Sequence, residues 1–290
     1  MPFLDQISIE KFIDSLNMEI PSTENFLQLS KIFPINPQRM ASIQRNPNFE
    51  RGILLYLLIG KYRPKNVLEI GTSEGYSTLC MAWAMTDYKI NGRIFTIDPK
   101  PFDIPIKRVN SWDDNKINED TLISTKDLWR KFAKKEWIEK IEVLTGFSGE
   151  ILEKKHKHLP KMDMGFIDGH HAYNAVMHDF HAFLRNASED FCLLFDDYVQ
   201  NDTPNVKKMI DEEIKPNFDV TPVKTNTNSN DNIVMCWIQS NSLKQPLENI
   251  FPKYRTEQII KEYVKWEKRW KLRKSLNKKI PFLGKFRFNH

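Results

Sequence analysis

The chain has 290 residues, 40% of them hydrophobic and 28% charged, an ordinary composition for a soluble globular protein with a sizeable core. Its longest apolar run, 53–59, falls far short of the ~20 residues that span a bilayer; the opening MPFLDQISIEKF lacks the basic-then-apolar pattern of a signal peptide. The net charge of +5 is uneven: 261–290 holds eleven Lys or Arg against two Glu, a local +9 that leaves −4 on the rest, so the high isoelectric point describes a tail rather than a site.

In chain order, 1–47 reads as short helices broken by FPINPQRM, a cap or partner surface. Residues 49–62, FERGILLYLLIGKY, form a helix apolar on most faces and so buried. Strand and helix signals then alternate, with strands expected at 66–70, 93–98, 141–145, 162–168 and 191–196. Helices are expected at 76–85 and 124–137, the latter opened by a Ser124…Asp127 pair like a capping box. In HAYNAVMHDFHAFLRN, Tyr173, Val176, Met177, Phe180, Phe183 and Leu184 share one stripe, which leaves His178 and His181 as solvated surface residues. Thr203 is a candidate N-cap with Pro204 at the first helical position. FDVTPVKTN and NIVMCWIQS read as a closing antiparallel hairpin, 218–240. The expected fold is therefore α/β, a doubly wound seven-stranded sheet that is mostly parallel and ends in an antiparallel hairpin. Cys80, Cys192 and Cys236 lie inside apolar segments at wide spacing, which fits buried thiols in a reducing compartment such as the cytoplasm.

The chemistry gathers at strand ends. VLEIGTSEGYSTL, 67–79, runs from a strand through a glycine turn into a helix. Glycines at 71 and 75 let the backbone turn sharply and approach a ligand. A G-x-x-x-G spacing alone fits a tight turn or a nicotinamide site. Glu69 is an awkward neighbour for a phosphate and suits a cationic ligand, an ammonium or sulfonium. Asp98 ends the second strand, where an acid accepts hydrogen bonds from ribose hydroxyls. Asp168, Asp196 and Asp197 end two further strands, and parallel strands bring such ends to one edge. Three converging anions need a compensating cation, and all-oxygen ligation suits Mg²⁺ or Ca²⁺.

With RIFTID, the loop Glu69, Gly71, Thr72, Ser73, Gly75, Tyr76, Ser77 resembles the opening of class I S-adenosylmethionine-dependent methyltransferases. The nearer likeness is to the metal-dependent small-molecule O-methyltransferases of the catechol and macrolide-sugar types. It covers 48–239 and leaves both ends out. The resemblance implies that S-adenosylmethionine sits against this loop, Asp98, Asp168 and the stretch Gly146, Phe147, Ser148 of LTGFSGEIL. It implies a divalent cation, Mg²⁺ by preference, on Asp168, Asp196 and Asp197, although the family's acid–amide pair here is two acids. His171 of DGHHAY stands where the catechol type has a catalytic lysine and is the candidate base beside Asp168, with His170 as the alternative. The macrolide-sugar type shares an Asp-Gly-x-His-like turn, so a sugar or glycan hydroxyl is the expected acceptor, with other small molecules as alternatives.

Three regions follow: a helical cap 1–47, a cofactor-binding methyltransferase domain 48–240, and a basic tail 241–290. The 99–122 insert, with Phe102, Trp112, Asp113 and Asp114, lies where it could cover an acceptor. In the tail, Ile259, Tyr263, Trp266 and Trp270 recur at 4, 3, 4 spacing. Such a helix packs on its own domain or on a second copy of the chain, or lies through 258–290 on the inner face of a membrane; nucleic acid is not expected. The competing functions are a nicotinamide-dependent oxidoreductase, disfavoured by Glu69 and the missing G-x-G-x-x-G, and a non-catalytic nucleoside-binding scaffold docked through its tail.

Overall fold

The computed structural model describes residues 6–32, 49–109, 120–199, 204–225 and 234–279. The chain starts with a two-residue strand β1 (Ile7–Ser8), followed by helices α1 (Ile9–Leu16), α2 (Thr23–Ile32) and α3 (Glu50–Tyr62). Strand β2 (Asn66–Ile70), helix α4 (Tyr76–Asp87) and strand β3 (Arg93–Asp98) come next. A small hairpin, β4 (Ile106–Val109) with β5 (Asp120–Ile123), occupies the ends of the insert; Trp112, Asp113 and Asp114 lie outside the described residues.

The stretch expected as one helix over 124–137 is two, α5 (Thr125–Phe132) and α6 (Lys135–Ile138), because Ala133 turns extended. Ser124 does cap α5, accepting from the Asp127 amide and donating to its carboxylate. Then follow β6 (Ile141–Thr145), α7 (Ser148–Lys155), β7 (Met162–Ile167), α8 (Tyr173–Asn186) and the long β8 (Ala187–Val199). The chain closes with α9 (Pro204–Met209), β9 (Thr221–Lys224), β10 (Val234–Gln239), α10 (Leu247–Ile250) and α11 (Lys253–Lys279). Pro204 opens its helix as expected; Thr203 lies outside the described residues.

The main sheet has the order β1-β9-β10-β8-β7-β2-β3-β6, parallel throughout except for β10. It has eight strands rather than seven, because Ile7 and Ser8 pair with Val223 and Lys224 and extend the edge beyond the closing hairpin. Adjacent residues point to opposite faces, as strand pleating requires. Val67, Ile94 and Leu194 join a core under α3 and α4, whereas Leu68, Phe95 and Leu193 join one under α8 and α11. Burial on both faces is why these strands read as unbroken apolar runs.

α8 departs from expectation. His178 and His181 are fully buried, not solvated. Helix α11 lies across the side of α8 that the apolar stripe does not cover. There His178 stacks on Tyr263 with ring centroids 4.3 Å apart, and the His181 Nδ1 meets the Thr256 hydroxyl at 3.0 Å. Burial pushes His181 down to about 4, with Arg255 adding to the effect. Among the described residues, no helix is long and apolar enough to cross a membrane.

Phe180 is the hinge of this second core, fully buried and edge-on to Phe251 at 5.2 Å. Phe180→Ala is expected to cost about 3–5 kcal/mol, read as a lower urea midpoint with an unchanged slope.

Candidate active site

Strand order reverses between β2 and β7: β3 lies on one side of β2 and β7 on the other. Crevices at such points are where open α/β sheets bind ligands. Here the chain leaving β2 passes so close to β7 that a Cβ on Gly71 would fall 2.0 Å from the Asp168 carbonyl oxygen. Gly71 also has φ +101°, a conformation that favours glycine. Gly75, at φ +96°, is equally constrained, since a Cβ there would meet the Trp129 ring at 2.2 Å. Trp129 in turn donates its indole N–H to the Glu74 carbonyl at 2.8 Å, and a Lys100–Glu74 ion pair ties the loop to the end of β3.

Asp98 accepts from the Ser73 amide at 2.8 Å and from the Lys100 amide at 2.7 Å. Burial raises its pKa, partly offset by the amides of Ser73 and Thr72. Next to it, Gly146 donates its amide to the Asp98 carbonyl at 2.9 Å, and the Ser148 hydroxyl donates to Asp179 at 2.7 Å. These residues open into a cleft of about 250 Å³ whose wall includes Gly71, Asp98, Phe147, Ser148, Asp168 and His170. Glu69, Thr72, Tyr76 and Ser77 are buried behind it. Tyr76 donates to the Phe49 carbonyl at 2.7 Å and anchors α3. Phe102, from the insert, stands edge-on to Trp129 and anchors that loop.

Glu69 is fully buried, and its Oε2 accepts from Thr78 and Thr96 at 2.5 Å each. Its Oε1 is buried without a hydrogen-bond partner among the described residues. Burial raises its pKa to about 7, against the pull of the two threonines and of Arg51.

The acids converge as their strand ends require, in two pairs. Arg51, from α3, donates to Asp168 at 2.9 Å and also to Asp196. Burial alone would lower the Arg51 pKa, but Asp196 and Asp168 more than reverse this and hold it protonated. Burial pushes Asp168 and Asp196 up, while Arg51 pulls both down. The second pair is Asp197 and His171, with Oδ2 and Nε2 2.9 Å apart. Asp197 has φ +57°, an unfavourable backbone state for a non-glycine residue that marks a constrained position. Asp168, His171 and Asp197 each offer a donor atom within 4.8 Å of the others, a spacing and chemistry that fit a divalent cation. Asp196 is instead turned onto Arg51.

Arg51 is the residue that reading the sequence missed. Its signal is a cation in the first turn of FERGILLYLLIGKY, set directly before nine buried residues. Arg51→Met is expected to destabilise the fold by about 3 kcal/mol near pH 8, because it strands the buried carboxylate of Asp196 and the half-buried one of Asp168. Urea unfolding should show that loss shrink as pH falls and the acids protonate. Glu69 predicts an opposite trend. A folded pKa of about 7 against 4.5 means the unfolded chain gives up this proton first. Stability then falls as pH rises through that window, by on the order of 3 kcal/mol. Glu69→Gln should flatten that part of the profile.

Residues 68–198 match a protein family described as a methyltransferase domain. No curated protein matches the sequence. Among solved structures, the O-methyltransferase from Bacillus cereus in complex with SAH is 18% identical, with a TM-score of 0.49 over 79% of this chain and 96% of its own. The O-methyltransferase TomG from Streptomyces achromogenes in complex with SAM is 17% identical, with a TM-score of 0.49 over 81% of this chain and 99% of its own. The SAH-bound methyltransferase PaMTH1 from Podospora anserina is 14% identical, with a TM-score of 0.45 over 81% and 97%. The matched segment holds Gly71, Asp98, Ser148, Asp168, His171 and the Asp196–Asp197 pair, and over it the chain is similar to a methyltransferase domain.

Proposed function

We propose that the chain is an S-adenosylmethionine-dependent O-methyltransferase acting on a hydroxyl of a sugar, glycan or other small molecule. The observation that carries the proposal is the cleft at the point of strand reversal, whose wall brings together Gly71, Asp98, Asp168 and His170. Asp98 stands at the end of the second parallel strand, where an acid receives ribose hydroxyls. Phe147 and Ser148 take the base. The free oxygen of Glu69 suits an ammonium near the loop, since a buried acceptor without a donor is costly until one arrives.

In the reaction the acceptor oxygen forms a bond to the sulfonium methyl as the carbon–sulfur bond breaks, and the electron pair returns to sulfur. The acceptor proton passes to His171, whose ring Asp197 orients through Nε2. An imidazole suits this task at neutral pH. Asp168 and Asp197 would hold a divalent cation, which when bound lowers the pKa of an adjacent hydroxyl. Arg51 holds Asp168 and Asp196 in place and offsets part of the burial that pushes both acids up.

Calorimetric titration with S-adenosylhomocysteine tests the cofactor. Micromolar binding, weakened at least tenfold by Asp98→Ala, is expected; binding of NAD(H) in its place would sink the proposal. His171→Ala should leave that binding intact and slow methyl transfer by about 10²–10⁴-fold. Repeating the assay with chelator and added magnesium decides the role of the cation.

A further inference from the structure

The 253–279 helix lies outside the matched methyltransferase segment, yet Tyr263, Trp266, Glu267 and Trp270 stand in the wall of the same cleft as Gly71 and Asp98. Their 3, 1 and 3 spacing places all four on one side of α11. We propose that this helix is part of the cofactor site, and that Trp266 and Trp270 with Phe147 form an aromatic wall for the flat base of a nucleoside cofactor. This deepens the methyltransferase reading and rests on it.

The helix is built to hold that position. The carboxylate of Glu267, 2% exposed, accepts the backbone amides of Gly149 and Glu150 at 3.3 and 3.0 Å, satisfying the first turn of α7 from outside. Ser148, the residue before those amides, faces the cleft. Lys271 reaches Glu150 at 2.5 Å and lies 4.3 Å over the Phe147 ring. Together with Lys154, it holds the Glu150 carboxyl down at about 2. One face of α11 is thus keyed to the start of α7 by a charge, a cap and a cation–π contact.

The aromatic rings form a continuous file. His178, pinned by Asp179 at 2.8 Å, stacks on Tyr263; Tyr263 stacks on Trp266 at 5.4 Å and Trp266 on Trp270 at 6.3 Å. Trp270 meets Phe147 edge-on at 5.6 Å. Tyr263 is covered, but Trp266, the next ring along, remains 37% exposed, and both it and Trp270 stand in the cleft wall. The same Asp179 accepts from Ser148, so one buried carboxylate sets both the hydroxyl in the cleft and the foot of the file. An aromatic face accepts a base by stacking without needing hydrogen-bond readout.

The test uses the full chain, with S-adenosylhomocysteine and adenosine as probes. Trp270→Leu and Trp266→Leu keep apolar bulk but remove the π-face. Each should weaken both probes by a similar factor, about 5- to 150-fold for one stacked base. Trp270→Tyr should recover most of the affinity, and Tyr254→Ala, 76% exposed on the same helix, should change nothing. If the unsubstituted chain binds both probes and the leucine variants bind within twofold of it, the aromatic wall is wrong while the methyltransferase reading stands. If the unsubstituted chain binds neither probe, both fall.

Discussion

Two aspartates at the ends of adjacent parallel strands would repel each other at the sheet edge, and the guanidinium of Arg51 is what makes that edge tenable. Asp168 ends β7 and Asp196 lies in β8, so parallel topology alone brings their carboxylates together. Arg51 reaches both from α3. Residues 52–60 of α3 are all buried, so burying the helix against the sheet also delivers the charge. Packing and electrostatics therefore select the same placement of α3, and the α4 face of the domain cannot form without setting the acids.

A fixed cation also bears on what the site can recruit. A metal ion placed between Asp168 and Asp197 would share Asp168 with Arg51, and Asp196 is committed elsewhere. Affinity for a divalent ion then depends on how far Asp168 can share its oxygens. His171 and Asp197 form a pair of their own, which orients the imidazole without recourse to the Arg51 group.

How much of this was legible in the sequence follows the range of the interactions. β2, β3 and β6 lie where their apolar runs predict them, because burial on both faces writes itself into consecutive residues. Gly71 and Asp98 were legible because a turn and a strand end are local features. His178 and His181 were misread, since the element that buries them, α11, follows some 75 residues later in the His181–Thr256 contact. Arg51 escaped for the same reason: its partners lie 117 and 145 positions away. The stripe Tyr263, Trp266, Trp270 was visible as a stripe, but periodicity names a face without naming what it faces. β1 carries no periodic signal at all, because two residues are too few to show one.

That short strand has its own consequence. β9 would otherwise present an open edge of unpaired amides and carbonyls, and open edges invite pairing with a neighbouring molecule. Ile7 and Ser8 blunt it, and the helix α1 that begins at Ile9 prevents the sheet from growing further. Since the partners are Val223 and Lys224, the guard and the edge lie far apart in sequence. A ribosome releases the first long before the second exists, so the nascent protein must keep its leading segment unattached until nearly all of the sheet has been made.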